Sequence, residues 1–291
     1  MSIDEVREAL LAQREEGRPG DIAEIRARVE ALASPLPEGW RAAPIDLGRG
    51  GERLVGPQTK AGRTIFFLHG GAYCAGSIVS HRALAASLAM AAEAEAVTLD
   101  YRLAPEDPFP AALDDAIEGY RRLLAEGRAA ESIAFMGDSA GGGLALALAA
   151  RARAEGLPQP LAIAVIAPWA DLTQSGGSYG YKAESDPVLT KEALDACAAL
   201  YLAGADARDG RASPVFADLA GLAPVLIQVG GDEVLLSDSE SFIAAARAAG
   251  VDATVEIWPG LFHVWHIHLA LEEAQEAIGE FGGWLKRRWK A

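Results

Sequence analysis

The chain has 291 residues, 51% of them hydrophobic and 23% charged, which is enough apolar material for one sizeable core and excludes a disordered chain. Its 26 basic and 41 acidic side chains leave a formal charge of −15, which repels phosphate backbones and anionic headgroups. Neither nucleic acid nor a membrane surface is an expected partner.

Met1 to Glu5 lacks the basic start and apolar run of a signal peptide, and no stretch of about 18 apolar residues is present. A cytoplasmic chain is therefore expected. Two short helices open it. Ser2 and Glu5 form a capping box, and Asp21 stands where it caps a helix beginning at Ile22. Ser34-Pro35-Leu36-Pro37 ends this part, because each proline disfavours a helical residue before it. We read residues 1–36 as an N-terminal helical cap segment and 37–291 as the main domain.

From about Trp40 strands alternate with helices. Thr64–Leu68, Ala96–Leu99, Ser132–Met136, Leu161–Ile166, Val225–Val229 and Ala253–Ile257 are short apolar runs. Helical stretches lie at Arg82 to Ala92, Ala111 to Ala125 and Leu144 to Ala154. Strands apolar on both faces and separated by helices imply an α/β fold with a parallel sheet covered on both sides. Ligands bind at the carboxyl ends of such strands, and those ends here carry glycines, a serine, an aspartate and histidines. Residues 171–203 are too long for an ordinary αβ loop. They are read as a cap insertion, with Asp186-Pro187-Val188-Leu189-Thr190 leading into a helix to about Leu202.

Gly137-Asp138-Ser139-Ala140-Gly141 fits G-x-S-x-G between an apolar strand and a helix. That context lifts Ser139 Oγ out of the sheet beside a helix N-terminus, as a nucleophile requires. A base and an orienter must accompany it. His263 follows the strand at Ala253 and is the expected base. His69 is expected to brace its loop, His81 to lie on the surface, and His266 and His268 to be solvated or packed. Chain order points to Asp232 as the acid, with Glu233 its immediate rival and Asp238 a helix N-cap. Gly70, Gly71 and Ala72 expose backbone N–H groups that, with that of Ala140, can face one oxyanion. Each such donor is worth about 2.7–4 kcal/mol of transition-state stabilisation. Cys74 and Cys197 match no metal-ligand spacing and are expected to be reduced thiols, and no metal site is expected.

His69-Gly70-Gly71-Ala72-Tyr73, Asp100-Tyr101-Arg102-Leu103-Ala104-Pro105-Glu106 and Gly137-Asp138-Ser139-Ala140-Gly141-Gly142 together resemble the three signatures of the hormone-sensitive-lipase-like α/β-hydrolases, the bacterial family IV esterases. The resemblance implies an α/β-hydrolase fold with a mostly parallel eight-stranded sheet and a helical cap. It also implies cofactor-free ester hydrolysis by Ser139, Asp232 and His263, with Gly71, Ala72 and Ala140 as oxyanion donors. Asp100 and Arg102 are structural in that family. Two departures stand out: Ala72 replaces the last glycine of H-G-G-G, and Asp232-Glu233-Val234-Leu235 replaces the usual D-P-L. Asp186 to Thr190, and Ser213-Pro214-Val215-Phe216-Ala217-Asp218-Leu219, are similar to the monoterpene lactone hydrolase branch, which makes cyclic esters a substrate class to test.

The expected reaction is a two-step acyl transfer on a small-molecule ester. Tyr73, Trp169, Tyr179, Tyr181, Val188, Leu189, Leu261 and Phe262 are the expected pocket residues, suited to short and medium acyl chains. A lactonase or amidase on the same triad is the nearest alternative. A non-catalytic ligand-binding protein, like the plant gibberellin receptor the family resembles, predicts loss of the catalytic histidine, whereas His263 is present. Strand 253–257 is expected at a sheet edge, where it can pair across a two-fold axis to make a homodimer.

Overall fold

The computed structural model describes residues 2–15 and 21–290. Both N-terminal helices form, α1 (Ile3–Glu15) and α2 (Ile22–Glu30). The capping box closes reciprocally: Ser2 N donates to Glu5 Oε2 at 2.7 Å and Glu5 N to Ser2 Oγ at 3.3 Å. Asp21 caps α2 by accepting from Glu24 N at 2.9 Å.

Eight strands make one sheet in the order β1-β2-β4-β3-β5-β6-β7-β8. They are β1 (Arg41–Asp46), β2 (Gly50–Val55), β3 (Thr64–Leu68), β4 (Glu95–Leu99), β5 (Ile133–Asp138), β6 (Ala162–Ile166), β7 (Val225–Gly230) and β8 (Ala253–Trp258). The ladders from β4 through β3, β5, β6 and β7 to β8 are parallel, and only β1–β2 and β2–β4 are antiparallel. Every residue of β3, β4, β5, β6 and β7 is buried. That is the burial expected of parallel strands covered on both faces.

The helices between strands are α3 (Arg82–Ala92), α4 (Ala111–Ala125), α5 (Ser139–Ala154) and α8 (Leu236–Ala248), and α9 (Glu272–Arg288) follows β8. Helix α5 starts five residues before the expected Leu144, because the glycines after Ser139 form its first turn. There they let it approach the sheet: a Cβ on Gly141 would lie 2.1 Å from Leu68 O. The strand-breaking segment 171–203 carries α6 (Ser178–Tyr181) and α7 (Lys191–Leu202), outside the sheet. A second apolar cluster joins Val6 of α1 to Leu261, Phe262, Trp265 and Leu271 after β8. Each large apolar side chain in it contributes about 1.5–3 kcal/mol by leaving water, which fastens α1 to the loop after β8.

Candidate active site

The turn between β5 and α5 holds Ser139 at φ 53°, a left-handed conformation that costs a non-glycine residue energy and persists only where surroundings enforce it. The enforcement comes from close packing. A Cβ on Gly137 would lie 2.4 Å from Gly141 O, so the strand and helix meet at glycine-only distance. The result is a buried serine whose hydroxyl lies 2.9 Å from His263 Nε2.

On its other side the imidazole finds a carboxylate, with His263 Nδ1 2.9 Å from Glu233 Oε1. Glu233 has no exposed surface, and its second oxygen accepts from Gly230 N at 2.8 Å. The expectation for Asp232 is therefore corrected. Its side chain points outward, where Arg7 (3.1 Å) and Lys182 (3.3 Å) bind it, and the adjacent Glu233 turns inward to the histidine. Arg7 also donates to Gly260 O at 2.5 Å and to Ser185 O at 3.1 Å, so α1 ties the acid loop to the histidine loop.

Three histidines of the region sort by environment. Burial pushes His69 and His266 down to about 3, which keeps both neutral. Burial also opposes charge on His263, but Glu233, Asp186 and Asp138 outweigh it, and the group lies above its ordinary 6.5. Of these three, only His263 has its proton affinity raised. His69 braces its loop as expected, with Nδ1 2.8 Å from Gly70 O and its ring stacked 4.2 Å from Tyr101. His266 lies in a short 3₁₀ turn, with Nε2 2.9 Å from Gln228 Oε1. His81 is not on the surface. It is buried, 3.3 Å from Asp138 Oδ2. Burial opposes ionisation of Asp138, yet His81 and the other nearby histidines hold its carboxyl below the usual range.

Asp138 also corrects the oxyanion donors. Its Oδ1 accepts from Gly70 N at 3.0 Å, so that N–H is spent on linking the nucleophile turn to the glycine loop. The loop then runs through positive φ at Gly71 (120°), Ala72 (54°) and Tyr73 (60°). The amides of Gly71 and Ala72, and of Ala140 in the first turn of α5, have no backbone acceptor among the described residues. Ala72 thus follows the path of a glycine loop at a conformational cost.

The D-Y-R-L-A-P-E segment is structural. Tyr101 Oη donates to His69 O at 2.7 Å, Arg102 binds Asp115 at 2.8–3.0 Å, and Ala104 N donates to Tyr73 O at 2.9 Å. Asp238 is not an N-cap. It is fully buried in the first turn of α8 and accepts from Ala170 N (3.0 Å) and Asp171 N (2.9 Å). Cys74 and Cys197 are free and buried, with Cys74 Sγ 3.9 Å from Cys197 O.

The expected pocket residues divide. Tyr73 stacks on Tyr201 at 3.9 Å, and it, Trp169 and Tyr179 are buried in the main core. Leu261 and Phe262 belong to the cluster under α1. Leu189 is partly buried, whereas Tyr181 (63% exposed) and Val188 (40%) are exposed in segment 171–203. Among the described residues no group of three or more His, Cys, Asp or Glu side chains is placed to hold a metal ion. No helix among the described residues is long and apolar enough to cross a membrane.

A model of the α/β-hydrolase fold family matches residues 65–267. The chain is 44% identical over 243 residues to an acetyl-hydrolase of Streptomyces hygroscopicus, covering 83% of this chain and 81% of that one. It is 37% identical over 240 residues to an esterase of Acinetobacter venetianus, covering 81% and 79%. Among solved structures, an esterase/lipase from an uncultured bacterium superposes with TM-score 0.94 at 41% identity, covering 99% of each chain. An esterase from the bacterial hormone-sensitive lipase family superposes with TM-score 0.95 at 38% identity, covering 99% and 98%. The chain belongs to the α/β-hydrolase fold family and, within it, to the hormone-sensitive-lipase-like serine ester hydrolases.

Proposed function

We propose that the chain hydrolyses short- to medium-chain carboxylic esters through an acyl-enzyme on Ser139, with His263 as base and then acid and Glu233 as its orienter. The observation that carries this reading is the unbroken line Ser139 Oγ–His263 Nε2, His263 Nδ1–Glu233 Oε1, both links at 2.9 Å. His263 takes the hydroxyl proton as Ser139 attacks the carbonyl, and the amides of Gly71, Ala72 and Ala140 face the developing oxyanion. The alcohol leaves with the proton from His263, and water repeats the sequence on the acyl-enzyme. The carboxylate holds the Nδ1–H tautomer and stabilises the imidazolium.

Acyl chain length is limited in this reading by Tyr73, Tyr201 and Trp169, which fill the space behind the glycine loop with packed rings. A related esterase, 41% identical, has been crystallised and soaked with p-nitrophenyl butyrate. A panel of p-nitrophenyl esters from acetate to palmitate should show butyrate turned over faster than palmitate. The reverse ranking refutes the small pocket, and a panel in which no ester reacts refutes the esterase reading.

Acidification should remove kcat/KM as His263 gains a proton. Because the imidazole lies above its ordinary 6.5, the acid limb should be centred above that pH rather than at it. A rate that stays flat to pH 4 excludes His263 as the base.

The same reading extends to assembly. Strand β8 lies at the sheet edge, with Ile257 exposed, and pairing with a second copy would cover it. Light scattering at tens of micromolar should give twice the chain mass, and a monomer at that concentration removes the dimer.

A further inference from the structure

The cap contributes a carboxylate to the neighbourhood of the triad. Asp186 has no exposed surface. Its Oδ1 accepts from Val188 N and Leu189 N, both at 2.8 Å, and its Oδ2 accepts from Val234 N at 2.9 Å. Val234 directly follows Glu233, so one side chain joins the cap turn to the turn that presents the acid. All three contacts are N–H donors. A protonated carboxyl would need an acceptor for its own proton, and its hydrogen bonds supply none, so these three donors favour the anion. Arg14 of α1 donates to the Asp186 backbone carbonyl and, at 3.0 Å, to Ala183 O, fixing the segment from outside.

The charged groups facing His263 come from three elements: Glu233 after β7, Asp138 at the end of β5, and Asp186 from the cap. His266, also close, is neutral, with its affinity for a proton lowered to about 3 by burial. Asp232 is neutralised by Arg7 and Lys182. Burial, with Glu233 nearby, pushes the Asp186 carboxyl above its ordinary range, while His263 and the backbone donors Leu189 and Val234 work against that rise.

We propose that Asp186 is a positioning residue of the catalytic machinery: it fixes the turn carrying Glu233, adds a second anion facing the His263 imidazolium, and is itself held by Arg14. It makes the cap a working part of the triad as well as a cover. The proposal rests on the Ser139–His263–Glu233 reading.

The test is Asp186→Asn, which keeps the volume but removes the charge and turns an amide toward at least one backbone donor. With folding verified by circular dichroism, kcat on p-nitrophenyl butyrate should fall by about 10- to 100-fold at near-constant KM, the scale of a misplaced catalytic group. The acid limb of kcat/KM should move down by about half a pH unit or more, because one anion supporting the imidazolium is gone. A purely structural role leaves that limb where it is. Wild-type kcat or an unmoved limb in the folded variant overturns the proposal. Should Asp186→Asn fail to fold, Arg14→Ala decides, since it leaves the carboxylate and its three donors intact. A several-fold loss of kcat at unchanged KM supports the proposal, and wild-type kcat overturns it. Ser139→Ala runs alongside: if that variant still hydrolyses the ester, the triad reading fails, whereas an inert Ser139→Ala with wild-type behaviour at Asp186→Asn removes only this proposal.

Discussion

Ser139→Ala should fold as the wild type does and lose about 10⁶-fold in kcat on p-nitrophenyl butyrate, the scale of a nucleophile knockout in a triad. The folding half of that expectation follows from the local contacts. Ser139 Oγ has His263 Nε2 as its hydrogen-bond partner, and the left-handed turn is enforced by the packing of Gly137 and Gly141 rather than by the hydroxyl. Alanine enters the same backbone at similar strain. The kinetic half follows from chemistry, because among the described residues no other hydroxyl hydrogen-bonds to His263 Nε2. A residual acceleration of about 10³–10⁴ over water should remain from the oxyanion donors and binding. If the variant keeps wild-type kcat, the nucleophile is elsewhere. If wild type and variant are equally inert across the ester panel, the fold serves a binding role and ligand screening replaces kinetics.

How far the sequence discloses this machine depends on where each residue's partners lie. Strands β3 to β7 are visible as apolar runs because both their faces are buried, and their boundaries differ from expectation by at most two residues. Strands β1 and β2 are not visible. Arg41–Asp46 is mostly exposed and contains Pro44, and it is a strand only because it pairs with β2 at the sheet edge. Helix α5 is masked at its start by Gly141, Gly142 and Gly143, which read as a loop and serve as close contacts with Leu68, Pro168 and Trp169. Ser139 and His263 are legible because their positions after a strand are fixed by the chain itself. His81 is not, because its burial comes from Asp138, 57 positions away in sequence.

Residues 186–190 and 213–219 have a physical role of their own in the fold. Asp186 holds Val188, Leu189 and Val234, and Ser213 Oγ accepts from Leu172 N at 2.8 Å. Both stretches fasten loops around the strand ends. Their presence therefore reports how these loops are held, a requirement that substrates of different kinds can share.

The choice between Asp232 and Glu233 is the sharpest case. Chain order selects the loop after β7 and says nothing of which neighbour turns inward. That is decided by Gly230, whose N–H is taken by Glu233, and by Arg7 and Lys182, which draw Asp232 outward from distant parts of the chain. Glu233→Gln should accordingly lose about 10⁴-fold in kcat, as an orienting carboxylate replaced by its amide does, or about 5–6 kcal/mol of transition-state stabilisation. The glutamate satisfies two donors at once, His263 Nδ1–H and Gly230 N–H. An amide has one oxygen for the two. Turned one way, its NH₂ meets Nδ1 and selects the tautomer with a proton on Nε2, which cannot accept the serine proton. Turned the other way, it opposes the buried Gly230 N–H and still lacks the charge that stabilises the imidazolium. Asp232→Asn faces none of these demands. Its carboxylate is about a quarter exposed and its ion pairs lie near the surface, a class worth about 0–1 kcal/mol, so kcat should stay within roughly tenfold of wild type. The pair of variants, assayed on one ester at the pH optimum, separates the two carboxylates by about three orders of magnitude in this order. The opposite order returns the acid to Asp232 and makes the inward Glu233 a structural group.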